Sequence, residues 1–327
     1  MCTCVSYRTR DHYFGRNLDL EFSYQESVTI TPRNYPLPFR KKETIASHYA
    51  LIGMAFVQDG YPLYYDATNE VGLSMAGLNF PHYAHFEKPI EDGKDNIAPF
   101  EFIPWILSQC KSVKEAKNLL SHLRLSDIAY SSSLPITPLH WMISDKEESI
   151  VVESVKEGLK VYENPVGVMT NNPPFPIQLF RLNDYRSLSP ESRENRFSEK
   201  VDLEEYSRGM GGIGLPGDLS SGSRFVRVAF TKLNSVSGEE EGSSVSQFFH
   251  ILGSVEQQRG CCNLGKDKYE ITIYSSCCNT DKGIYYYHTY DNFTIHAIDM
   301  HAEDLNASSL VSYPLKSKPE FDYINRK

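Results

Sequence analysis

The chain has 327 residues, of which 33 are Lys or Arg and 42 Asp or Glu, for a net charge of −9, and 40% are hydrophobic. This is the composition of an ordinary globular protein. The negative balance excludes a nucleic-acid partner, which demands a clustered basic face, and the densest basic run, Arg40-Lys41-Lys42, reads as a solvated turn. No segment is long and apolar enough to insert in a membrane, and the opening MCTCVSYRTRDHYFG lacks the apolar core of a signal peptide, so a cytoplasmic protein is expected. Sequons at Asn292 and Asn306 then carry no meaning. An odd set of seven cysteines reads as free thiols, and the vicinal pairs Cys261-Cys262 and Cys277-Cys278 lack the spacing of a zinc site.

The first eighty residues predict a run of short strands over 2–9, 12–18, 27–32, 49–57, 61–67 and 72–78. Turn signals at Asp59-Gly60 and Glu70-Val71-Gly72 favour antiparallel hairpins. Helical spacing then takes over between 99 and 123. Ser112 with Glu115 looks like a capping box, which splits this stretch into two helices, with Pro104 near the start of the first. Strands resume at Trp141–Ser144, Ser149–Val155 and Gly158–Tyr162. Residues 180–207 are polar and read as a surface excursion. Helices are predicted at 224–233 and 244–258, and a last antiparallel set at Tyr269–Ser275, Gly283–Tyr290 and Phe293–Met300. Strand and helix blocks without βαβ alternation predict an α+β fold of antiparallel sheets covered by helices. With no linker or internal repeat, residues 1–327 are expected to form one domain, with 316–327 as a tail.

The chemistry begins at Met1-Cys2-Thr3. Removal of Met1 would leave Cys2 with a free α-amine, putting a nucleophile and its base on one residue. Pairing of strand 2–9 with the next strand would bring Arg16 and Asp19 near that terminus. There a guanidinium lowers a thiol's pKa and a carboxylate can hold an ammonium.

Cys2, FGRNLD at 14–19 and ITPRNYPLPFR at 30–40 together resemble the choloylglycine hydrolase family of bile salt and penicillin V acylases. So do YPLYYDATNEVGLSMAGLNFP at 61–81, PFEFIPWILSQC at 99–110, VGVMTNNPPF at 166–175 and GMGGIGLPGDLSSGSRFVR at 209–227. The resemblance spans nearly the whole chain. It implies a four-layer αββα sandwich of the N-terminal-nucleophile hydrolase type, often tetrameric, and hydrolysis of glycine- or taurine-conjugated bile salts with no cofactor and no metal. Carried over, Cys2 is the nucleophile and its α-amine the base; Arg16 steadies the thiolate and Asp19 orients the amine. Asn171 supplies a side-chain donor and Asn79 a backbone donor to the oxyanion hole, and Arg224 completes the charged network. In the penicillin V acylase branch the position of Asn79 is typically aromatic, so asparagine resembles the bile salt branch. Phe22, Phe56, Leu63 and Phe80 are expected to line a groove for the steroid. Cys4 departs from the family pattern. It reads as a small buried hydrophobe, the sharper alternative being an oxidative link to Cys2, since positions 2 and 4 of a strand share a face.

Other motifs do not survive their context. Gly209-Met210-Gly211-Gly212-Ile213-Gly214 fits a dinucleotide fingerprint but follows a polar stretch and precedes Pro216, so it reads as a loop. His82 and His85 lack metal-site spacing, and Trp141 and Tyr285–Tyr287 read as core and sheet residues. The alternatives to bile salt hydrolysis are penicillin V acylase activity, amino-acid transfer onto bile acids by the same acyl-enzyme, and a catalytically silent steroid-conjugate binder.

Overall fold

The computed structural model describes residues 1–88 and 90–326. Lys327, the end of the expected tail, lies outside the described residues. Alternating apolar and polar positions make β1 (Cys2–Arg8) and β2 (His12–Leu20) a hairpin, in register from Cys2 opposite Leu18 to Arg8 opposite His12. This hairpin is the heart of a six-stranded antiparallel sheet. Strand Val168–Met169 flanks β1, and strands Ile271–Asn279, Ile284–Thr289 and His296–Asp299 follow β2 in that order. The second sheet has eight strands, with order Gly158–Glu163, Ser149–Val155, Leu139–Ser144, β6 (Ser74–Asn79), β5 (Tyr61–Asn69), β4 (Leu51–Gln58), β3 (Ser27–Thr31) and Val311–Pro314.

Each sheet carries helices on its outer face, which completes an αββα order of layers. On the second sheet, α1 (Phe102–Leu107) packs on β5 and β6, and α2 (Val113–Leu120) joins the same apolar cluster. The Ser112 hydroxyl accepts from the Glu115 N–H, as the capping signal predicted. A short helix, α3 (Phe175–Arg181), precedes α4 (Ser221–Asn234) and α5 (Glu241–Gly253), which cover the first sheet. The expected strand order holds through the first eighty residues. Among the pieces not foreseen, two extend the main sheets: the two-residue strand at 168 that borders β1, and Val311–Pro314, which adds an edge to the second sheet just before the expected tail.

Side-chain parity divides the hairpin's work. Cys2, Cys4, Ser6, His12 and Arg16 face the second sheet, whereas Thr3, Asn17 and Asp19 face the helices: the Asn17 side chain donates to the Leu252 carbonyl of α5. Between the sheets His12 is buried, bonded through Nε2 to Ser6 Oγ at 2.9 Å and through Nδ1 to Thr280 Oγ1 at 2.8 Å. Burial lowers its pKa from 6.5 to about 4.

Because the folded value is depressed, this contribution to stability is present above pH 6.5 and lost as pH falls toward 4. The loss should reach about 3 kcal/mol, since only the unfolded imidazole takes a proton in that window. Urea midpoints of the parent and His12→Gln at neutral and acidic pH check this: the variant should be the less acid-sensitive of the two. Equal acid sensitivity would show that the imidazole is not the group responsible.

Candidate active site

Two irregularities in the second sheet open the site. In β5 the pairing runs Met54 opposite Asp66 and Ala55 opposite Tyr64, so Tyr65 is an extra residue, a bulge. On the other side of β5, pairing with β6 ends at Asp66 opposite Ala76, and the two strands part beyond it. The carbonyls of Tyr65 and Gly77 at this split are both taken by Arg16 Nη1, reaching across from the first sheet, at 3.0 and 2.6 Å. Arg16 is 1% exposed. Burial opposes its charge, but Cys2, Tyr274, Asp66 and Cys4 around it outweigh that and raise its pKa further.

Cys2 lies at the open end of β1, 3% exposed, on the same face as Arg16. Its backbone N–H donates to Asn171 Oδ1 at 2.8 Å. The same oxygen accepts from Arg224 Nη2 at 2.7 Å, and Arg224 Nη1 donates to the Cys2 carbonyl at 2.5 Å and to Thr3 Oγ1 at 2.6 Å. Asn171 Nδ2 donates to the Asn79 carbonyl at 2.7 Å, and the Asn171 N–H to Ser221 Oγ, where α4 begins. Phe80 N–H bonds the Pro138 carbonyl, which makes Asn79 and Leu139 a non-hydrogen-bonded pair. The backbone N–H and C=O of Asn79 therefore turn away from Leu139, toward the split.

Asp19 sits on the helix side of β2. Its carboxylate accepts from Thr272 Oγ1 at 2.6 Å and Gln257 Nε2 at 3.3 Å, with Arg224 Nη1 at 3.9 Å. Burial raises its pKa, against the pull of Arg224, the terminal amine, Thr272 and Arg16. A second bulge, between Thr272 and Tyr274 opposite β2, sends Thr272 to Asp19 on the helix side and Tyr274 to Asp66 between the sheets. Met1 covers this end: its ammonium donates to the Asp19 carbonyl at 2.8 Å and pairs with Glu270, and burial lowers its pKa.

A cavity of about 350 Å³ runs from Met1, Cys2, Arg16 and Asn79 through the split. Its walls include Tyr24, Phe56, Leu63, Phe100, Tyr130, Ile136 and Trp141. Of the four residues expected in the groove, Phe56 and Leu63 line it. Phe22 stands outside the lining, exposed, with its ring 4.8 Å from that of Tyr24. Phe80 is fully buried and stacked on His140 at 4.3 Å, and is not among the lining residues. Sequence reasoning missed Tyr24, Phe100, Tyr130 and the 133–137 loop, since nothing in their spacing signals a shared wall. The glycine-rich 209–214 segment is likewise absent from the lining. Cys4 is fully buried, opposite Arg16, and burial pushes its thiol up. Among the described residues no group of three or more His, Cys, Asp or Glu is placed to hold a metal ion, and no helix is long and apolar enough to cross a membrane.

Replacing Arg16 by Met should cost about 3–5 kcal/mol in chemical denaturation, because two buried carbonyls lose their donor and Asp66 its nearest opposite charge. A loss below about 1 kcal/mol would show that water can fill the split.

Comparison with known proteins agrees with this geometry. Residues 2–313 match the linear amide C–N hydrolases, choloylglycine hydrolase family. The chain is 60% identical over 325 residues to a bile salt hydrolase/transferase of Lactiplantibacillus plantarum, covering 99% of this chain and 100% of that one. It superimposes on a crystal structure of a variant of the conjugated bile acid hydrolase from Clostridium perfringens with TM-score 0.92 at 38% identity, covering 99% of this chain and 100% of that chain. A penicillin V acylase from Agrobacterium tumefaciens shares the fold, with TM-score 0.73 at 19% identity over 97% of this chain and 92% of that chain.

Proposed function

The chain belongs to the choloylglycine hydrolase family of linear amide C–N hydrolases, and from that membership we propose that it cleaves the amide bond of glycine- or taurine-conjugated bile salts with the thiol of Cys2. The observation that carries this reading is the position of Cys2 at the polar end of a long, largely apolar cavity. An amphipathic steroid acid with a charged conjugate matches that polarity. Asn at position 79 supports the bile salt branch over penicillin V acylase.

In this reading Met1 is removed, which opens the cavity's polar end and turns the Cys2 amide nitrogen, 2.8 Å from Asn171 Oδ1, into an α-amine. The burial and the two guanidiniums that lower the Met1 amine act on the new amine too, favouring the free base. The amine takes the thiol proton, and Arg16 steadies the thiolate. Asp19 acts through the charged network it shares with Arg224 and the terminus. The thiolate attacks the amide carbonyl. The tetrahedral oxyanion is met by the remaining N–H of Asn171 Nδ2 and by the Asn79 backbone N–H. The C–N bond breaks as the α-ammonium returns its proton to the leaving amine, and water then hydrolyses the thioester to free bile acid and regenerated thiol. No cofactor takes part in these steps. Free amine in place of water would give amino-acid transfer, and the Lactiplantibacillus relative is a bile salt hydrolase/transferase.

In the same reading the chain after Met1 acts as one domain, with 316–327 as its tail, in a soluble, cytoplasmic enzyme. The exposed side chains of Phe180, Phe197, Tyr206 and Ile213 support the homotetramer that the family resemblance implies.

Amine release from glycocholate, taurocholate and penicillin V, with protein whose loss of Met1 is confirmed by mass, tests the assignment. Rapid release from the bile conjugates and little from penicillin V is expected; turnover of penicillin V alone would move the substrate claim to the sister branch. Phe56→Ala and Leu63→Ala should each raise KM for glycocholate several-fold with a smaller change in kcat, as loss of about 1–2 kcal/mol of apolar contact requires. Unchanged kinetics would remove these two side chains from the steroid's wall.

A further inference from the structure

The reaction uses Arg16, but the charge facing Arg16 from below is not part of the machinery described so far. Asp66 is the last paired residue of β5 before the split, and it is buried. Its carboxylate crosses the inter-sheet layer in the direction opposite to Arg16. Oδ1 accepts from Tyr274 at 2.9 Å; Oδ2 accepts from Tyr285 at 2.6 Å and from Ser276 at 3.4 Å. The Ser276 hydroxyl in turn accepts from the backbone N–H of Arg16 at 3.2 Å. The two sheets are thus clasped twice at one point, by a cation reaching one way and an anion reaching the other, and the anion is tied to the cation's own backbone.

We propose that Asp66 is a positioning residue for the reaction: its buried carboxylate balances the Arg16 charge and fixes the strand that carries it, and so sets the pH at which the Cys2 thiol gives up its proton. This rests on the reading of Cys2 as nucleophile. The buried charges stand on the two faces of the hairpin: Arg16 with Asp66 between the sheets, and Arg224 with Asp19 on the helix side, where Glu270 also pairs with the terminal ammonium. The groups facing Asp66 are Arg16 from β2, Cys4 from β1, Tyr274, Ser276 and Cys278 from the strand 271–279, and Tyr285 from the strand 284–289. Arg16 is the sole cation among them. The flanking strands β4 and β6 present Met54 and Ala76 opposite it, and neither titrates. Burial raises the pKa of Asp66, and Arg16 with the three hydroxyls pulls it back. Three hydroxyl donors on one carboxylate are the arrangement that keeps an anion in an apolar layer.

The sign follows. Without the Asp66 charge, the Cys2 thiolate becomes the buried counter-charge for Arg16, and the thiol should ionise at lower pH. In Asp66→Asn, the pH profile of iodoacetamide labelling at Cys2, read peptide by peptide by mass spectrometry, should move about one unit toward acid. Labelling on the acid limb would then rise about tenfold. The acid limb of kcat/KM should move the same way. Tyr285→Phe removes one of the hydroxyls that hold the Asp66 anion against burial, so part of the Asp66 population takes a proton and the shift should be smaller and in the same direction; it carries the test if Asp66→Asn does not fold. Ser144→Ala removes an inter-sheet hydroxyl bonded to Ser6 at 2.9 Å, remote from Asp66, and should lower stability without moving the profile. An unmoved profile in both site variants, or an equal shift in Ser144→Ala, overturns the proposal. Labelling of Cys2 needs no turnover, so a parent that labels at Cys2 but cleaves no conjugate would count against the proposed function and leave the role of Asp66 readable.

Discussion

A guanidinium in the split between β5 and β6 fixes most of what surrounds it. Two neighbouring strands of a sheet cannot part without stranding backbone carbonyls, and a stranded carbonyl in an apolar layer costs free energy comparable to a lost hydrogen bond. The bulge at Tyr65 and the end of pairing at Ala76 strand two, and Arg16 Nη1 takes both. The cavity passes through the same opening. Cavity, opening and positive charge are therefore one feature: close the split by regular pairing, and the cavity loses its depth while Arg16 loses its place.

The position of Cys2 follows from that constraint together with strand parity. Residues 2, 4 and 16 must share the inter-sheet face for Arg16 to lie beside the thiol, which sends Thr3 and Asp19 to the helix side. The network is thus built on both faces of one hairpin and can meet only at the end of β1, where the chain itself presents an edge. Arg224 bridges the two halves there, holding the Cys2 carbonyl, Thr3 Oγ1 and Asn171 Oδ1 at once. Burial lowers its pKa, and Asp19 and Cys2 oppose that. A cation so enclosed needs its anions close, which is why the inward side of the site carries so many hydroxyls and amides instead of apolar side chains.

Much of this was legible in the sequence. Alternation and turn residues located the hairpin and the following strands, and Ser112 with Glu115 located the break between α1 and α2. The blocks around Cys2, Arg16, Asn79, Asn171 and Arg224 brought together residues that are far apart in the chain. What was not legible depends on departures from regular pairing. A bulge at Tyr65 leaves no mark in YPLYYDATN, because both Tyr64 and Tyr65 suit a strand, and the extra residue appears only when β4 is laid against it. The role of Asp66 depends on that bulge. Phe80 was misplaced for a different reason: regular alternation turns it to the face opposite Asn79, where its ring stacks on His140. The edge strand at 311–314 was missed for another reason. Val-Ser-Tyr-Pro is short and ends in a residue that cannot donate, and only an edge accepts such a strand.

The second bulge, at Thr272, links these observations. In an unbroken strand Thr272 and Tyr274 would point to the same face, and one of the two buried carboxylates would lose a hydroxyl. The register shift lets a single strand serve Asp19 with Thr272 on one face and Asp66 with Tyr274 on the other. Two bulges, one in each sheet, therefore do complementary things: the first frees acceptors for a cation, and the second divides donors between two anions. In the two main sheets both bulges lie where charge is buried. A regular ladder uses every backbone group on its neighbours and leaves none for ions, so a sheet that holds buried charge must depart from regular pairing at the point where it does so.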